Sequence, residues 1–268
     1  MKRIIPTLLV AAVVAAVLGT AAAAHTAASK EKQSSKPTVV LVHGAWADGS
    51  SWSRVTRRLQ NDGYTVDVPA NPLRGLSDDS ASIAAYLATI SGPIVLVGHS
   101  YGGSVITNAA LGNSQVKALV YVDAFIPDKD DTVIGLTASG SCFATPPQNV
   151  LNFVTAPAGV TDAYVKPELF PGCFANGLPK REGAALAATQ RPIAANALGE
   201  ESGSPAWATI PSWDVIGTQD HVITPDSQRA MAARAHSHVT TIDAPHLSML
   251  SDPRAVTTVI EQAAKATN

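Results

Sequence analysis

The sequence predicts an α/β fold, a mostly parallel central sheet flanked by helices, with one long insertion acting as a lid. Three observations predict it. From Pro37 onward, short apolar runs alternate with amphipathic helical patterns, the rhythm of a parallel sheet covered on both sides. The run Pro93-Ile94-Val95-Leu96-Val97 ends in Gly98-His99-Ser100-Tyr101-Gly102 and passes at once into a helical pattern. From Phe125 to about Ala206 the rhythm breaks into a stretch rich in Pro, Gly, Ser and Thr. That is too long for a structureless loop in a compact domain, so it reads as an inserted lid.

The elements follow in order. Met1-Lys2-Arg3 is basic, residues 4–18 are apolar, and Ala21-Ala22-Ala23-Ala24 supplies small residues. Together they read as a signal peptide over residues 1–24, cut near Ala24, with a polar linker over 25–36. A retained membrane anchor is the alternative, because residues 4–24 are about long enough to span a bilayer. Residues 37–268 then form one domain. Its first strand, 38–42, is a continuous apolar run, as expected where both faces are buried. Residues 51–62 are helical, with Trp52, Val55 and Leu59 on one face, and 64–68 are a short strand. Residues 80–90 are helical, with Ile83, Leu87 and Ile90 inward. The strand 94–97 leads to a helix with Val105, Ile106 and Ala109 on one face, and 116–122 is another apolar strand. Inside the insertion only scattered helical stretches such as 181–190 stand out. After it come a strand at 212–216 and a helix begun by Thr224-Pro225, an N-cap followed by proline in the first turn. A strand at 239–242 and a final helix capped by Ser251, with Val256, Val259 and Ile260 inward, complete the pattern.

Composition narrows the function. The chain has 268 residues, 46% hydrophobic and 15% charged, enough for a sizeable core and a composition that argues against disorder. Cleavage of the leader removes Lys2 and Arg3, leaving 17 basic against 21 acidic residues and a net charge of −4. No basic patch interleaved with aromatics is present, which argues against a nucleic-acid partner. Stable membrane association is not expected once the leader is removed. Two cysteines, Cys142 and Cys173, both lie in the insertion. An even count in an exported chain points to a disulfide, closing a loop of about 30 residues for roughly 3–4 kcal/mol. Two free buried thiols are the alternative. No cofactor is expected. Neither cysteine has a second Cys or His at zinc-ligand spacing, and the His236-x-His238 pair lacks a third ligand.

The chemistry centres on Gly98-x-Ser100-x-Gly102, the pattern of a nucleophile elbow. A turn that tight needs neighbours without bulk. It lifts the Ser100 hydroxyl off the sheet and sets it at a helix N-terminus, where free N–H groups favour negative charge. A serine needs a base, and the base needs an acid to orient it. The chain order serine, acid, histidine is met by Asp220, just after the strand 212–216, and His246, just after the strand 239–242. Asp123, at the end of the strand after the elbow, is a second candidate for the acid. Asp214 lies within a strand and points into packing or solvent. His25 falls in the linker, His221 adjoins Asp220, and His236 and His238 bracket a turn. His43 and His99 sit at strand ends and are better suited to fixing their loops. An oxyanion hole needs two backbone N–H groups. Tyr101, directly after the serine, and Ala45, on the loop after the first strand, are the expected donors.

Four segments in this order, Leu41-Val42-His43-Gly44-Ala45-Trp46, Val97 to Gly103, Gly217-Thr218-Gln219-Asp220-His221-Val222 and Ala244 to Pro253, resemble the α/β-hydrolase superfamily. Within it they are similar to the small plant-type methylesterase and hydroxynitrile-lyase group and its bacterial serine esterase relatives. The resemblance covers residues 37–268 and is weakest in the lid. It implies a Ser100, Asp220, His246 triad with the Ala45 and Tyr101 amides as oxyanion hole. The lyases carry Thr where this chain has Gly44, and Lys where it has Leu247. Both departures argue for ester hydrolysis. The expectation is a secreted or periplasmic serine esterase acting on a small-molecule ester, with Leu136, Phe143, Phe153, Phe170 and Phe174 either lining the lid or packing it onto the core. A cofactor-free perhydrolase or haloperoxidase-type activity, a lyase, and a non-catalytic binding protein are the alternatives. Oligomeric state is left open.

Overall fold

The structure, a computed structural model, describes residues 1, 36–157 and 159–267. Apart from Met1 and Lys36, the expected leader and linker lie outside the described residues. In chain order the first half holds β1 (Thr38–Val42), α1 (Ser53–Asn61), β2 (Val66–Asp67), α2 (Leu76–Leu87), β3 (Ile94–His99), α3 (Tyr101–Ala109) and β4 (Val116–Val122). The insertion holds α4 (Val133–Leu136), α5 (Pro147–Val150), β5 (Leu151–Thr155), β6 (Thr161–Val165), α6 (Lys180–Thr189) and β7 (Ile193–Ala194). The chain then returns through β8 (Ser212–Gly217), α7 (Pro225–Arg234), β9 (His238–Ile242), α8 (Ser248–Ser251) and α9 (Pro253–Ala266).

Six strands form one sheet in the order β2-β1-β3-β4-β8-β9, and every pairing in it is parallel. Helix α3 packs on β1, β3 and β4, and α9 packs on β3, β4 and β8. Every residue of β3 is buried. Since its side chains alternate between faces, the sheet is covered on both. Each buried Val, Ile or Leu contributes roughly 1.5–3 kcal/mol, which is why the strands read as unbroken apolar runs. The register aligns their carboxyl ends: Val42 pairs with Gly98, His99 with Val122, Val122 with Val215, and Gly217 with Ile242. The loops after β1, β3, β8 and β9 therefore leave from one edge, where open α/β sheets place their sites.

Three local expectations are corrected. The insertion is not merely helical scatter, because β5, β6 and β7 form a three-stranded antiparallel sheet. β5 and β6 form a local hairpin, but β5 is almost wholly exposed and neither strand alternates cleanly, while β6 reaches β7 only across a long separation. Helix α2 starts at Leu76, earlier than expected, because buried Asp79 accepts the Arg74 N–H at 2.9 Å and fixes the turn. The final helix is capped by Asp252, whose side chain accepts the Ala255 N–H at 3.1 Å, while Ser251 closes α8. Thr224 does cap α7, accepting the Ser227 N–H at 3.3 Å. No helix of the described residues is long and apolar enough to cross a membrane.

Candidate active site

The site is built around the turn between β3 and α3. Ser100 adopts φ 53° and ψ −125°, a conformation that costs of order 1–3 kcal/mol and persists only where the surroundings enforce it. Close packing enforces it here. A Cβ on Gly98 would lie 2.5 Å from the Gly102 oxygen, and one on Gly102 would lie 2.7 Å from the Val42 oxygen. The chain therefore doubles back tightly enough to present the Ser100 hydroxyl above the sheet.

His246 Nε2 lies 3.0 Å from Ser100 Oγ, and His246 Nδ1 lies 2.8 Å from Asp220 Oδ2. The serine, histidine and acid expected from chain order thus form one continuous chain of contacts. Asp220 is itself held by three N–H groups. Its Oδ1 accepts from Val222 at 2.7 Å and Ile223 at 2.9 Å, and its Oδ2 accepts from Gln228 Nε2 at 2.8 Å. Donors on that many sides set Asp220 to accept rather than donate. His246 then carries hydrogen on Nδ1 and leaves Nε2 bare toward Ser100. Burial holds the imidazole well below the ordinary histidine range, at about 3, so it stays neutral at neutral pH. Burial raises the Asp220 carboxyl, against the Ile223 and Val222 N–H groups and the Gln228 amide, which favour its ionised form.

Ala45 and Tyr101 line the same cavity as Ser100. Tyr101 opens α3, so its N–H is one of the helix's first-turn donors without an intrahelical acceptor. Its hydroxyl turns away and donates to Asp79 Oδ2 at 2.7 Å. His43 fixes the loop that carries Ala45, because its Nδ1 meets the Gly44 oxygen at 2.9 Å and its Nε2 accepts the Asn71 N–H at 3.1 Å. His99 Nε2 meets the His246 oxygen at 3.0 Å. Neither of these histidines is placed to serve Ser100.

A family model described as alpha/beta hydrolase family matches residues 39–259. The chain belongs to the alpha/beta hydrolase family. It is 32% identical over 128 residues to the carbendazim hydrolyzing esterase of a Nocardioides strain, a match covering 43% of this chain and 51% of that one. This hydrolase thus spans about half the length of the curated relative it matches. Two solved structures illustrate the shared fold. One is a pyrethroid hydrolase from Sphingobium faniae, with TM-score 0.68, 21% identity, and coverage of 86% of this chain and 98% of that one. The other is an extracellular alpha/beta-hydrolase from a Paenibacillus species, with TM-score 0.70, 21% identity, and coverage of 85% and 98%.

The hydrolase keeps the remaining candidates out of the serine–histidine chain. Asp123 Oδ1 accepts the Gly217 N–H at 2.8 Å, which ties β4 to β8. Asp214 is fully buried, and neither of its carboxyl oxygens has a partner among the described residues. Burial pushes both carboxyls well up. His221, His236 and His238 are exposed, and His25 lies outside the described residues. Cys142 and Cys173 form a disulfide with Cα atoms 5.8 Å apart.

A cavity of about 340 Å³ opens over Ser100, walled by Trp46, Phe125, Ile134, Phe143, Phe153 and Leu198 among others, with no charged side chain among its described walls. Of the five apolar insertion residues expected to line it, only Phe143 and Phe153 do. Phe170 and Phe174 instead pack on each other with ring centroids 4.9 Å apart, beneath Trp46. Leu136 points aside because the short helix α4 turns Val133 and Ile134 to the cavity. Sequence reading missed Gln228 and the packing of Trp46 and Phe174 beside the site. Gln228 is the one with a faint signal, a polar residue one turn into a helix whose loop carries the acid.

Proposed function

We propose that the protein is a secreted serine esterase acting on small, uncharged esters. One observation carries the reading: the Ser100–His246–Asp220 chain has contacts of 3.0 and 2.8 Å, and Ser100 shares an apolar cavity with Ala45 and Tyr101. Ser100 Oγ attacks the ester carbonyl carbon as its proton passes to His246 Nε2. Asp220 stabilises the imidazolium, and the Ala45 and Tyr101 N–H groups hold the oxyanion. The imidazolium returns the proton to the departing alkoxide, leaving an acyl group on Ser100. Water, deprotonated by His246, then releases the acid by the same steps in reverse. One oxyanion donor is worth roughly 3–4 kcal/mol in such sites, comparable with a triad member.

The apolar walls favour neutral acyl and alcohol groups, since a charge would lose its hydration there without a partner. The relatives named as a carbendazim hydrolyzing esterase and a pyrethroid hydrolase support a small-molecule substrate. The basic, apolar and alanine-rich start of the chain and the disulfide support export to an oxidising compartment. Cyanohydrin cleavage is disfavoured at position 44, where any Cβ would lie 2.8 Å from Ser100 Cβ. No side-chain hydroxyl fits there.

The test is turnover of p-nitrophenyl esters graded by acyl length, together with labelling by a fluorophosphonate. Ser100→Ala is expected to abolish both and leave the melting transition in place. Turnover that survives Ser100→Ala would eliminate the mechanism.

A further inference from the structure

Each half-cystine is followed directly by a phenylalanine, and the two rings converge on the site. Phe143 stacks on Trp46 with centroids 5.1 Å apart and planes 2° from parallel. Phe174 sets its edge on Trp46 at 5.6 Å and meets the His246 ring at 5.1 Å, inclined by 70°. The same two strips grip the loop that carries Asp220. Cys142 N–H donates to the His221 oxygen at 2.8 Å, Ser141 Oγ–H to the Val222 oxygen at 2.6 Å, and Asn176 Nδ2–H to the Gln219 oxygen at 2.7 Å. Trp46 has φ 56°, a left-handed backbone that a bulky residue adopts only when held. Insertion groups hold it: both phenylalanine rings and the Ala163 oxygen, which accepts Trp46 Nε1–H at 3.0 Å.

We propose that Phe174 is a positioning residue for His246, and that the Cys142–Cys173 bond keeps it against the imidazole. The proposal rests on the esterase reading. His246 is faced by Ser100 at Nε2 and Asp220 at Nδ1, and by His99, whose ring centroid lies 4.7 Å away. Asp123 and His221 act on Asp220 from behind. Phe174 closes a further side. Beyond its ring lies a mostly apolar cavity of about 30 Å³ whose wall also carries the polar residues Asp48, Ser50 and Ser51, with room for about one water. The ring thus partitions the imidazole from that space. Without it, water reaches His246 and favours the charged form, and the imidazole is free to leave the line to Ser100.

The experiment compares Phe174→Leu, Phe170→Leu and the double variant Cys142→Ser/Cys173→Ser in the full chain. Readouts are kcat and KM for p-nitrophenyl acetate across about pH 4–9 and fluorophosphonate labelling at Ser100. Phe174→Leu is expected to lower kcat about tenfold with KM within about twofold. The acid limb of kcat is expected to move up toward about 6.5, the free histidine value. The double cysteine variant is expected to move the limb the same way. Phe170 is as buried as Phe174, but its ring pairs with Phe174 whereas that of Phe174 pairs with His246, so Phe170→Leu is expected to leave the limb in place. Phe174→Met, also ringless and of similar bulk, gives the same readout if the leucine form does not accumulate. An acid limb that stays put in Phe174→Leu, or that moves equally in Phe170→Leu, overturns the proposal. A wild-type chain that neither hydrolyses the ester nor labels at Ser100 overturns the esterase reading itself, and the proposal with it.

Discussion

Gln228→Leu probes how the acid is held. Gln228 is fully buried, and its Nε2 donates both to Asp220 Oδ2 and to the Ile223 oxygen, each at 2.8 Å. Leucine fills similar volume and donates to neither. A hydrogen bond to a charged group is worth about 1.5–3 kcal/mol, and each 1.36 kcal/mol is tenfold in rate. If the whole bond serves the imidazolium-bearing transition state, kcat falls about 10- to 150-fold. KM should hardly change, because Gln228 does not line the substrate cavity. Burial already raises the Asp220 carboxyl, with the Gln228 amide among the groups opposing it. Losing that opposition raises it further. The ionised form then retreats to higher pH, and the acid limb of kcat/KM moves up. The orphaned Ile223 oxygen costs about 1–3 kcal/mol of stability, read as a lowered urea midpoint. The assay is p-nitrophenyl acetate hydrolysis across pH, with active sites counted by fluorophosphonate. A kcat within twofold of wild type with an unmoved limb would refute the view that Asp220 depends on its donors.

Two further outcomes follow from the geometry. Gly98→Ala places a methyl 2.5 Å from the Gly102 oxygen, so the elbow must shift. The expected cost is about 1–3 kcal/mol, with fluorophosphonate labelling slowed at least tenfold; a variant that labels at the wild-type rate would show the turn has slack. Asp214 is raised chiefly by burial, with Asp123 adding to it. The folded state therefore keeps a proton that the unfolded chain releases above about pH 4, so this contribution to stability is present below that range and is lost as pH rises. Asp214→Asn is expected to flatten the decline, which urea midpoints measured from acid to neutral pH would reveal; parallel curves for the two proteins would contradict it.

How much was legible depended on distance along the chain. Strands such as 38–42 and 116–122 were visible because a doubly covered strand must be apolar throughout. The elbow was visible because its glycines lie within two residues of the serine they serve. The antiparallel sheet of the insertion was hidden, since β6 gains β7 only after a long excursion and neither alternates strongly. The aromatics of the insertion were legible as apolar residues. Which of them face substrate was decided by the Phe170–Phe174 pair turning under Trp46.

The order of residues by itself determined the sheet, the sharp turn at Ser100, and the two later loops able to supply an acid and a base, because each is written in short-range pattern and backbone sterics. Chain order and the resemblance already favoured Asp220 over Asp123; only the tertiary structure brings the Asp220 carboxylate to 2.8 Å from His246 Nδ1. That contact joins residues 26 apart, while Asp123 Oδ1 is taken by the Gly217 N–H, 94 residues away, and hydrogen bonds between distant segments leave no trace in local composition. The same holds for the cystine-linked rings around Trp46, which come together only once the insertion is folded onto the sheet edge.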